Sequence, residues 1–106
     1  MDHTDVVLVL CTAPPGEGEE IAHIIIEERL AACVNITPVR SVFRWEGEVV
    51  CDDEQLLICK TTAEGSGDLI QRIEAIHSYD LPEILCIPVP EGSQSYLDWV
   101  RSEVGG

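Results

Sequence analysis

The sequence predicts an α+β domain whose elements follow the order β-α-β-β-α-β, with one further helix near the C-terminus. Three observations lead to this fold class. Four runs are rich in apolar and β-branched residues, three other segments repeat apolar residues at helical spacing, and proline or glycine marks most of the boundaries. A chain of 106 residues has room for one domain, so we expect a single unit over residues 1–106.

A sharp change in composition separates the first strand from the first helix. Val6 to Cys11 is a continuous apolar run, as in a strand that is covered on both faces or central in its sheet. Two prolines and a glycine at 14–16 end it, and the glutamates that start at Glu17 favour a helix start because they offset the exposed N–H groups. The helical pattern predicts about four turns that reach Ala31-Ala32; its apolar members are Ile21, Ile24, Ile25 and Leu30.

A long hairpin is predicted next. Cys33 to Trp45 is rich in strand-forming residues, Glu46-Gly47 is a tight-turn candidate, and Val49 to Lys60 returns as the partner strand. Pro38 interrupts the first of these strands and has no N–H group to donate. We therefore expect a bulge or an unpaired position near residue 38, and a bend of the strand there.

A second helix follows the hairpin. Asp68 opens it, and the polar residues 77–80 end it because Pro82 disfavours helix at the residue before it. Its inner face is expected to carry Leu69, Ile70, Ile73 and Ile76.

The last strand and the last helix close the chain. Ile84 to Val89 is the fourth strand, and Pro88 and Pro90 predict that its far end lies at a sheet edge or leaves the sheet. Ser93 is a suitable N-cap for a short third helix with Tyr96, Leu97 and Val100 on one side.

This order of elements is that of the ferredoxin-like split βαβ fold, in which two helices cover one face of a four-stranded antiparallel sheet. The predicted strands are too apolar for the other face to stand in water. Another copy of the chain is the simplest cover, so the sequence predicts an oligomer.

Charge restricts the range of partners. The chain carries twenty acidic residues against six Lys and Arg, a formal net charge of −14. Such a surface repels nucleic-acid phosphates and anionic lipid heads, so we expect neither nucleic acid nor a membrane as a partner. Cations, cationic ligands and further copies of the chain are the partners that this charge favours.

The N-terminal segment and the cysteines indicate the compartment. The apolar run Val6–Leu10 is too short to cross a membrane, and acids stand where a signal peptide carries Lys or Arg. The five cysteines are an odd number with no C-x-x-C pair, which is typical of free thiols in a reducing cytosol. We therefore expect a cytoplasmic protein; the cysteines are Cys11, Cys33, Cys51, Cys59 and Cys86.

Catalytic motifs find no match in the sequence. It has no nucleophile elbow, no H-E-x-x-H, no P-loop and no dinucleotide fingerprint. Acid pairs are frequent, but they are expected by chance in so acidic a chain. We therefore predict that the protein is not an enzyme and has no organic cofactor.

Six segments, in one order and at fitting intervals, carry a family resemblance: VVLVLCTAP (6–14), ERLAACVNI (28–36), FRWEGEV (43–49), E-x-x-x-x-x-K-T (54–61), H-x-Y-x-x-PEI (77–84) and YLDWV (96–100). Through them the chain resembles the CutA divalent-cation tolerance family over nearly its whole length. The resemblance implies a ferredoxin-like protomer that forms a compact homotrimer, with the long hairpin reaching onto its neighbours. It also implies a cytoplasmic location in microbes and a link to divalent metals, copper above all.

Cys11 and His77 are the candidate metal ligands. The resemblance implies a cysteine at the Cys11 position and two adjacent histidines as copper ligands; His77 matches the second histidine, and Ile76 stands at the first. Thiolate and imidazole suit Cu²⁺ and Zn²⁺, but the incomplete set predicts only weak binding of Cu²⁺ or another divalent cation. In the alternative, Cys11 is a core thiol and His77 a cation at a helix C-terminus. The sequence leaves open whether the two residues meet.

A second candidate site combines Lys60, Tyr79 and Glu83 in a polar cleft at a subunit boundary. Lys60 ends an apolar strand, which is a costly place for a charge without a partner, and Glu83 begins the fourth strand. The cleft is expected to capture a small ion. In the alternative, these residues form a structural ion pair that fixes the register of the trimer.

The hairpin carries further candidate residues. Trp45, at its tip, is expected to contact a neighbouring subunit rather than stack on a ligand, since aromatic residues anchor interfaces. Four acidic residues of the returning strand lack the ligand spacing of a calcium loop and are expected to form a solvated edge that opposes aggregation. They are Glu48, Asp52, Asp53 and Glu54.

The function expected from these features is that of a non-enzymatic, homotrimeric protein of divalent metal, especially copper, tolerance and homeostasis, which binds divalent cations weakly. The alternative is a trimeric PII-like signalling module that binds a small ligand in pockets between its subunits. A third hypothesis, an enzyme that uses the cleft of Lys60, Tyr79 and Glu83, has only the cleft in its favour.

Overall fold

The structure is a computed structural model and describes residues 4–105 of the chain. These residues form four strands and three helices in the predicted order. The elements are β1 (Val6–Ala13), α1 (Glu17–Glu27), β2 (Cys33–Trp45), β3 (Glu48–Thr62), α2 (Ser66–Ile76), β4 (Ile84–Pro88) and α3 (Gln94–Glu103). The strands form one antiparallel sheet in the order β2-β3-β1-β4, so the predicted α+β class is confirmed.

The main core lies between α1, α2 and one face of the sheet. Side chains alternate along a strand, so the residues of β1 and β3 that belong to this core point to the same side. Fully burying each of the large aliphatic side chains in this layer stabilises the fold by roughly 1.5–3 kcal/mol. The buried members are Val9, Cys11, Ala13, Ile21, Ile25, Ala31, Leu57, Cys59, Leu69 and Ile73.

Helix α3 packs at one end of the opposite face. Val6 precedes Val9 by three positions, so its side chain points away from the main core, and it forms a second buried cluster with Leu97 and Val100 of α3. The start of α3 directly after Ser93 confirms the predicted helix start, although the Ser93 side chain makes no capping hydrogen bond.

The rest of this opposite face, called here the uncovered face, exposes apolar side chains. Leu85 and Ile87 of β4 lie opposite Leu10 and Leu8 in the sheet, and they are 54% and 41% exposed. Directly opposed residues of an antiparallel pair share a face, so these four side chains form one apolar surface. β4 is an edge strand that ends at Pro88, as its prolines predicted. No helix among residues 4–105 is long and apolar enough to cross a membrane.

The long hairpin extends beyond the rest of the sheet. β1 pairs with β3 only over Gln55–Thr62, so the remaining part of β3 has β2 as its single neighbour. We call this two-stranded extension, Val39–Trp45 with Glu48–Glu54, the hairpin arm. Glu46 and Gly47 both have positive φ, as a tight hairpin turn with right-handed strand twist requires, so the predicted turn is confirmed.

The predicted bulge at Pro38 is not formed. Pro38 lies opposite Gln55, and the register of β2 and β3 continues on both sides of this pair without an inserted residue. β2 is an edge strand, and an edge tolerates a proline because the missing N–H can face away from the neighbouring strand.

The predicted end of the first helix is wrong. α1 ends at Glu27, four to five residues before Ala31-Ala32. The chain reverses at Arg29, which has φ 61°, and Ala32 then donates its N–H to the carbonyl oxygen of Lys60 at 2.8 Å. The good helix propensity of two alanines is thus overridden by packing, since Ala31 enters the main core.

Candidate functional site

A groove of about 820 Å³ opens between the hairpin arm and the segment that joins α2 to β4. The register places Ser41 opposite Asp52 and Phe43 opposite Val50, so these side chains share the face of the sheet that the helices leave uncovered. The groove is lined by Thr12, Ser41, Val42, Phe43, Arg44, Trp45, Val50, Asp52, Glu54, Ser78, Tyr79, Asp80, Leu81 and Glu83.

His77 fixes the start of the α2–β4 segment. Its backbone is extended, which ends α2 at Ile76, and its imidazole side chain is fully buried. The Tyr79 backbone N–H donates to Nδ1 at 3.0 Å, and Nε2 lies 2.7 Å from the carbonyl oxygen of Thr12. A backbone N–H only donates and a carbonyl only accepts, so these partners define the neutral tautomer with its proton on Nε2. Both ring nitrogens of His77 are therefore occupied.

Tyr79 and Glu54 form the buried polar contact of the groove. The Tyr79 hydroxyl donates to Glu54 Oε2 at 2.9 Å, and Glu54 is only 6% exposed. Burial, together with this hydrogen bond, raises the pKa of Tyr79 to about 12, so the phenol keeps its proton and remains a donor.

The expectation of a solvated acidic edge is wrong for Glu54. Glu48, Asp52 and Asp53 are exposed as predicted, whereas Glu54 is buried at the base of the hairpin arm. The alternation along β3 carried the signal, because Glu54 shares its face with Leu56 and Ile58 and thus continues an apolar series on the uncovered face.

The N-terminus of α1 holds the same segment from the other side. The Ser78 N–H donates to Glu17 Oε2 at 2.9 Å. Partial burial acts to raise the pKa of Glu17, but the hydrogen bonds from Ser78 outweigh it and leave that pKa below its ordinary value. Gln55 Oε1 accepts from the N–H groups of Gly16 and Gly18 at 3.1 Å each, and a Cβ at Gly18 would lie 2.5 Å from that oxygen. The start of α1 and β3 are therefore fixed to each other next to the base of the hairpin arm.

Cys11 and His77 approach each other within one chain. The Cys11 thiol is fully buried and lies 3.6 Å from the Thr12 carbonyl oxygen, the same atom that His77 contacts. Burial, with the negative charges of Glu83 and Glu17, raises the pKa of Cys11 to about 12, so the thiol is protonated at neutral pH. A protonated thiol and an imidazole with both nitrogens in use do not fit a resident metal ion, and no group of three or more His, Cys, Asp or Glu in residues 4–105 is arranged to hold one.

Lys60 lies outside the groove. It is six residues from Glu54 along β3, a separation of about 20 Å in a strand. Its ammonium group lies 3.5 Å from Cys33 Sγ and donates to Asn35 Oδ1, and no ion pair joins it to a carboxylate within the described part of the chain. Within one protomer the groove therefore contains Tyr79 and Glu83 of the predicted cleft together with Trp45, the predicted subunit contact, but not Lys60.

The groove is strongly acidic and partly aromatic. Four carboxylates line it, from Asp52, Glu54, Asp80 and Glu83, and among its described lining residues they face the single guanidinium of Arg44. Phe43, Tyr79 and the 45% exposed Trp45 supply its aromatic surface. Such a site attracts cations and repels anions.

The fold and the groove together define a class: a small α+β protein with one four-stranded antiparallel sheet, a projecting hairpin arm and an acidic groove at its base. The family model described as CutA1 divalent ion tolerance protein matches residues 7–103. The chain belongs to this family, so the resemblance seen in the sequence is confirmed.

Relatives with solved structures share the fold closely. The divalent-cation tolerance protein CutA of Thermus thermophilus is 49% identical over 100 residues, covering 92% of this chain and 97% of the relative. A structure of the divalent cation tolerance protein from this organism superposes with a TM-score of 0.90 at 48% identity and covers 94% of this chain and 99% of its own.

Two further structures carry informative descriptions. One is described as the PII-like protein CutA from Nostoc sp. PCC 7120 in apo form, with a TM-score of 0.91, 39% identity, and coverage of 93% and 97% of the two chains. The other is described as the periplasmic divalent cation tolerance protein CutA from Archaeoglobus fulgidus, with a TM-score of 0.91, 39% identity, and coverage of 94% and 99%.

Proposed function

We propose that this protein is a homotrimeric, non-enzymatic divalent-cation tolerance protein that binds Cu²⁺ or another divalent cation weakly. The observation that carries this proposal is the acidic groove, in a member of a family described by divalent ion tolerance. Carboxylates are good ligands for hard divalent cations, and the net charge of −14 raises the local concentration of cations around the chain.

Weak binding follows from the arrangement of the ligands. Tight sites gather three or four protein ligands around one ion, and no such group exists in residues 4–105. The carboxylates of the groove are instead distributed along its walls, so each cation meets one or two of them and retains much of its water.

The choice of copper rests on Cys11 and His77 and stays a prediction. Both side chains suit copper chemically, but a metal would have to remove the proton of the thiol and replace a hydrogen bond of His77. We therefore assign His77 the role of positioning the groove segment, and place weak cation binding at the groove carboxylates.

The trimer is supported by the apolar surface that one protomer leaves exposed. Leu85, Ile87, Val42 and Val49 lie on the uncovered face or on the hairpin arm, and each is more than 40% exposed. Leu85 and Ile87 form one exposed surface with Leu8 and Leu10, and a soluble monomer rarely leaves such a surface uncovered. Copies that close around a threefold axis would bury them, and the arm is long enough to reach a neighbour.

A PII-like module is the second candidate. The relative from Nostoc sp. PCC 7120 is described as PII-like, and the groove volume of about 820 Å³ suits a metabolite better than a lone ion. A cytoplasmic location also stays a prediction: five free cysteines favour it, whereas the Archaeoglobus fulgidus relative is described as periplasmic.

The proposal is tested by calorimetric titration of the apo protein with Cu²⁺ and with Zn²⁺. We expect dissociation constants above about 1 μM, since each ion meets few ligands. Glu83→Gln should lower the affinity, whereas His23→Ala, at an exposed position of α1, should not. Tight binding that Cys11→Ser abolishes would mean that the metal binds at a thiolate site and not in the groove. An absence of heat with both metals would contradict the proposal.

A further inference from the structure

The only lysine of the chain lies against a cysteine. Lys60 Nζ is 3.5 Å from Cys33 Sγ, and it also donates a hydrogen bond to Asn35 Oδ1. The register places Cys33 directly opposite Lys60, so the two side chains leave neighbouring strands on the same face of the sheet. Within the described residues Lys60 has no carboxylate partner that would draw its amine away from the sulfur.

This pair lies beside α3 of the same chain, at the end of the sheet remote from the hairpin arm. Cys33 begins β2, whereas Trp45 ends it at the tip of the arm. Ala32, next to Cys33, packs against the cluster that α3 forms with Val6. The Tyr96 hydroxyl of α3 contacts Cys33 as well, and partial burial together with this contact raises the pKa of Tyr96. The phenol therefore remains a donor beside the sulfur.

The other four cysteines, all within residues 4–105, lack such a neighbour because the chain has no second lysine. Cys11 and Cys59 are fully buried, and burial raises the pKa of each thiol to about 12, so both are protonated and shielded. Cys51 is exposed, but the group 3.4 Å from its sulfur is the guanidinium of Arg40, which stays protonated and is not a nucleophile. Cys33 is half-buried, so it combines access for a small oxidant with an amine nitrogen beside the sulfur.

We propose that oxidation by hydrogen peroxide joins Cys33 to Lys60 through a covalent S–N bond, a sulfenamide. In the first step the peroxide transfers one oxygen to Sγ: the O–O bond breaks, the sulfur gives up two electrons and becomes a sulfenic acid, and the second oxygen leaves as water. In the second step the neutral amine of Lys60 attacks the sulfur, the S–OH bond breaks, and the hydroxide leaves as water with a proton of the amine. Sulfenic acids condense in this way with a nitrogen held close to them.

The crosslink would change the hairpin in two ways. It joins residues 33 and 60, so the whole hairpin lies within one covalent loop and should unfold less readily, as with a disulfide. It also consumes the sulfenic acid before a second peroxide converts it irreversibly to sulfinic acid. A thiol that attacks the sulfur releases the amine and leaves a disulfide, which a second thiol reduces, so the crosslink is a reversible response to peroxide.

Tryptic peptide mapping of the full-length protein after treatment with hydrogen peroxide tests this proposal. Trypsin cleaves after Lys and Arg, so a linked Lys60 should resist cleavage, and the peptide 30–40 should stay joined to the peptide 45–72. The joined species should be about 2 Da lighter than the sum of its reduced parts, since two hydrogens are lost. Dithiothreitol should separate it. Lys60→Arg keeps the charge but lacks the amine, so in this variant Cys33 should pass on to the sulfinic acid, a gain of about 32 Da.

Cys51→Ser is the matched control, because it removes another thiol of the same hairpin that lies beside a cation, and it should leave the yield of the crosslink unchanged. Three outcomes would overturn the proposal. Cys33 stays a free thiol while peroxide oxidises the exposed Cys51, or Cys33 becomes a sulfinic acid while trypsin still cleaves after Lys60. In the third, the peptide 30–40 is joined to a peptide 45–60 that ends at Lys60, which identifies a disulfide. None of these results depends on metal binding, so the proposed function is tested separately.

Discussion

The two faces of the β-sheet differ in how completely one chain covers them. On the helix side, Leu57 and Ile73 are fully buried, whereas Leu85 on the other side is 54% exposed and Val42 of the hairpin arm is 70% exposed. The helix side holds the protomer together, and the uncovered face and the arm carry the groove and the apolar surface that one chain leaves exposed. Fold stability and function should therefore respond to different substitutions.

The largest expected effect comes from the helix side. Leu57→Ala should lower the free energy of unfolding by about 3 kcal/mol, because it leaves a cavity in the main core. Val42→Ala removes apolar atoms from a largely exposed site and should cost the protomer less than about 0.5 kcal/mol. Urea unfolding at one fixed protein concentration compares the two. Equal losses would show that the arm is as important to protomer stability as the core.

Substitution of His77 should have a smaller effect on stability than Leu57→Ala. It tests whether His77 has a structural role or is a metal ligand. His77→Ala removes two hydrogen bonds of a buried imidazole and should lower the free energy of unfolding by about 2 kcal/mol, with Cu²⁺ affinity unchanged. His23→Ala, at an exposed position of α1, is the control and should change neither the free energy of unfolding nor the Cu²⁺ affinity. A variant of unchanged stability that no longer binds Cu²⁺ would instead make His77 a ligand.

Tyr79→Phe removes one hydroxyl from the wall of the groove. The loss of its bond to the buried Glu54 should lower the free energy of unfolding by about 1 kcal/mol, as measured by urea unfolding. Tyr96→Phe on α3 removes a hydroxyl from a ring that is 42% exposed and should cost less than about 0.5 kcal/mol. Equal losses in the two variants would show that the hydrogen bond between Tyr79 and Glu54 contributes no more than an exposed hydroxyl.

The two buried thiols of the core, Cys11 and Cys59, should make the free energy of unfolding depend on pH above pH 9, with no such effect at neutral pH. Burial raises the pKa of Cys11 and of Cys59 from 9.0 to about 12. A pKa that is higher in the folded state gives a stabilisation that is fully present below pH 9 and is lost as the pH rises towards 12. The free energy of unfolding should therefore fall from pH 9 to pH 10.5, and less steeply in Cys11→Ala. Equal slopes would mean that Cys11 titrates normally.

Much of the fold could be predicted from local pattern. β2 begins and ends at the predicted residues, and the turn at Glu46-Gly47 forms as expected, because alternation and turn chemistry act within a few residues. The end of α1 could not be predicted, since it depends on distant partners. The Arg29 side chain donates to the carbonyl oxygens of Ser102 and Gly105, which are more than seventy residues away.

The candidate site could be predicted only in part. Tyr79, Glu83 and Trp45 line one groove, whereas Lys60 lies outside it within one protomer, because the sequence does not tell which part of β3 lies beside the segment between α2 and β4. Glu54 was missed among its acidic neighbours, although its position two residues before Leu56 placed it on an apolar face. The proposed contacts between copies lie on surfaces that one chain does not complete, so a single sequence does not give them.

The central claim is that further copies of the chain close over the uncovered face and the hairpin arm. Sedimentation equilibrium at micromolar protein concentration tests it most directly. Three chains of 11.7 kDa predict a single species of about 35 kDa. A single species of about 12 kDa that stays in solution would contradict the account, because the exposed Leu85, Ile87 and Val42 would then have no partner to bury them.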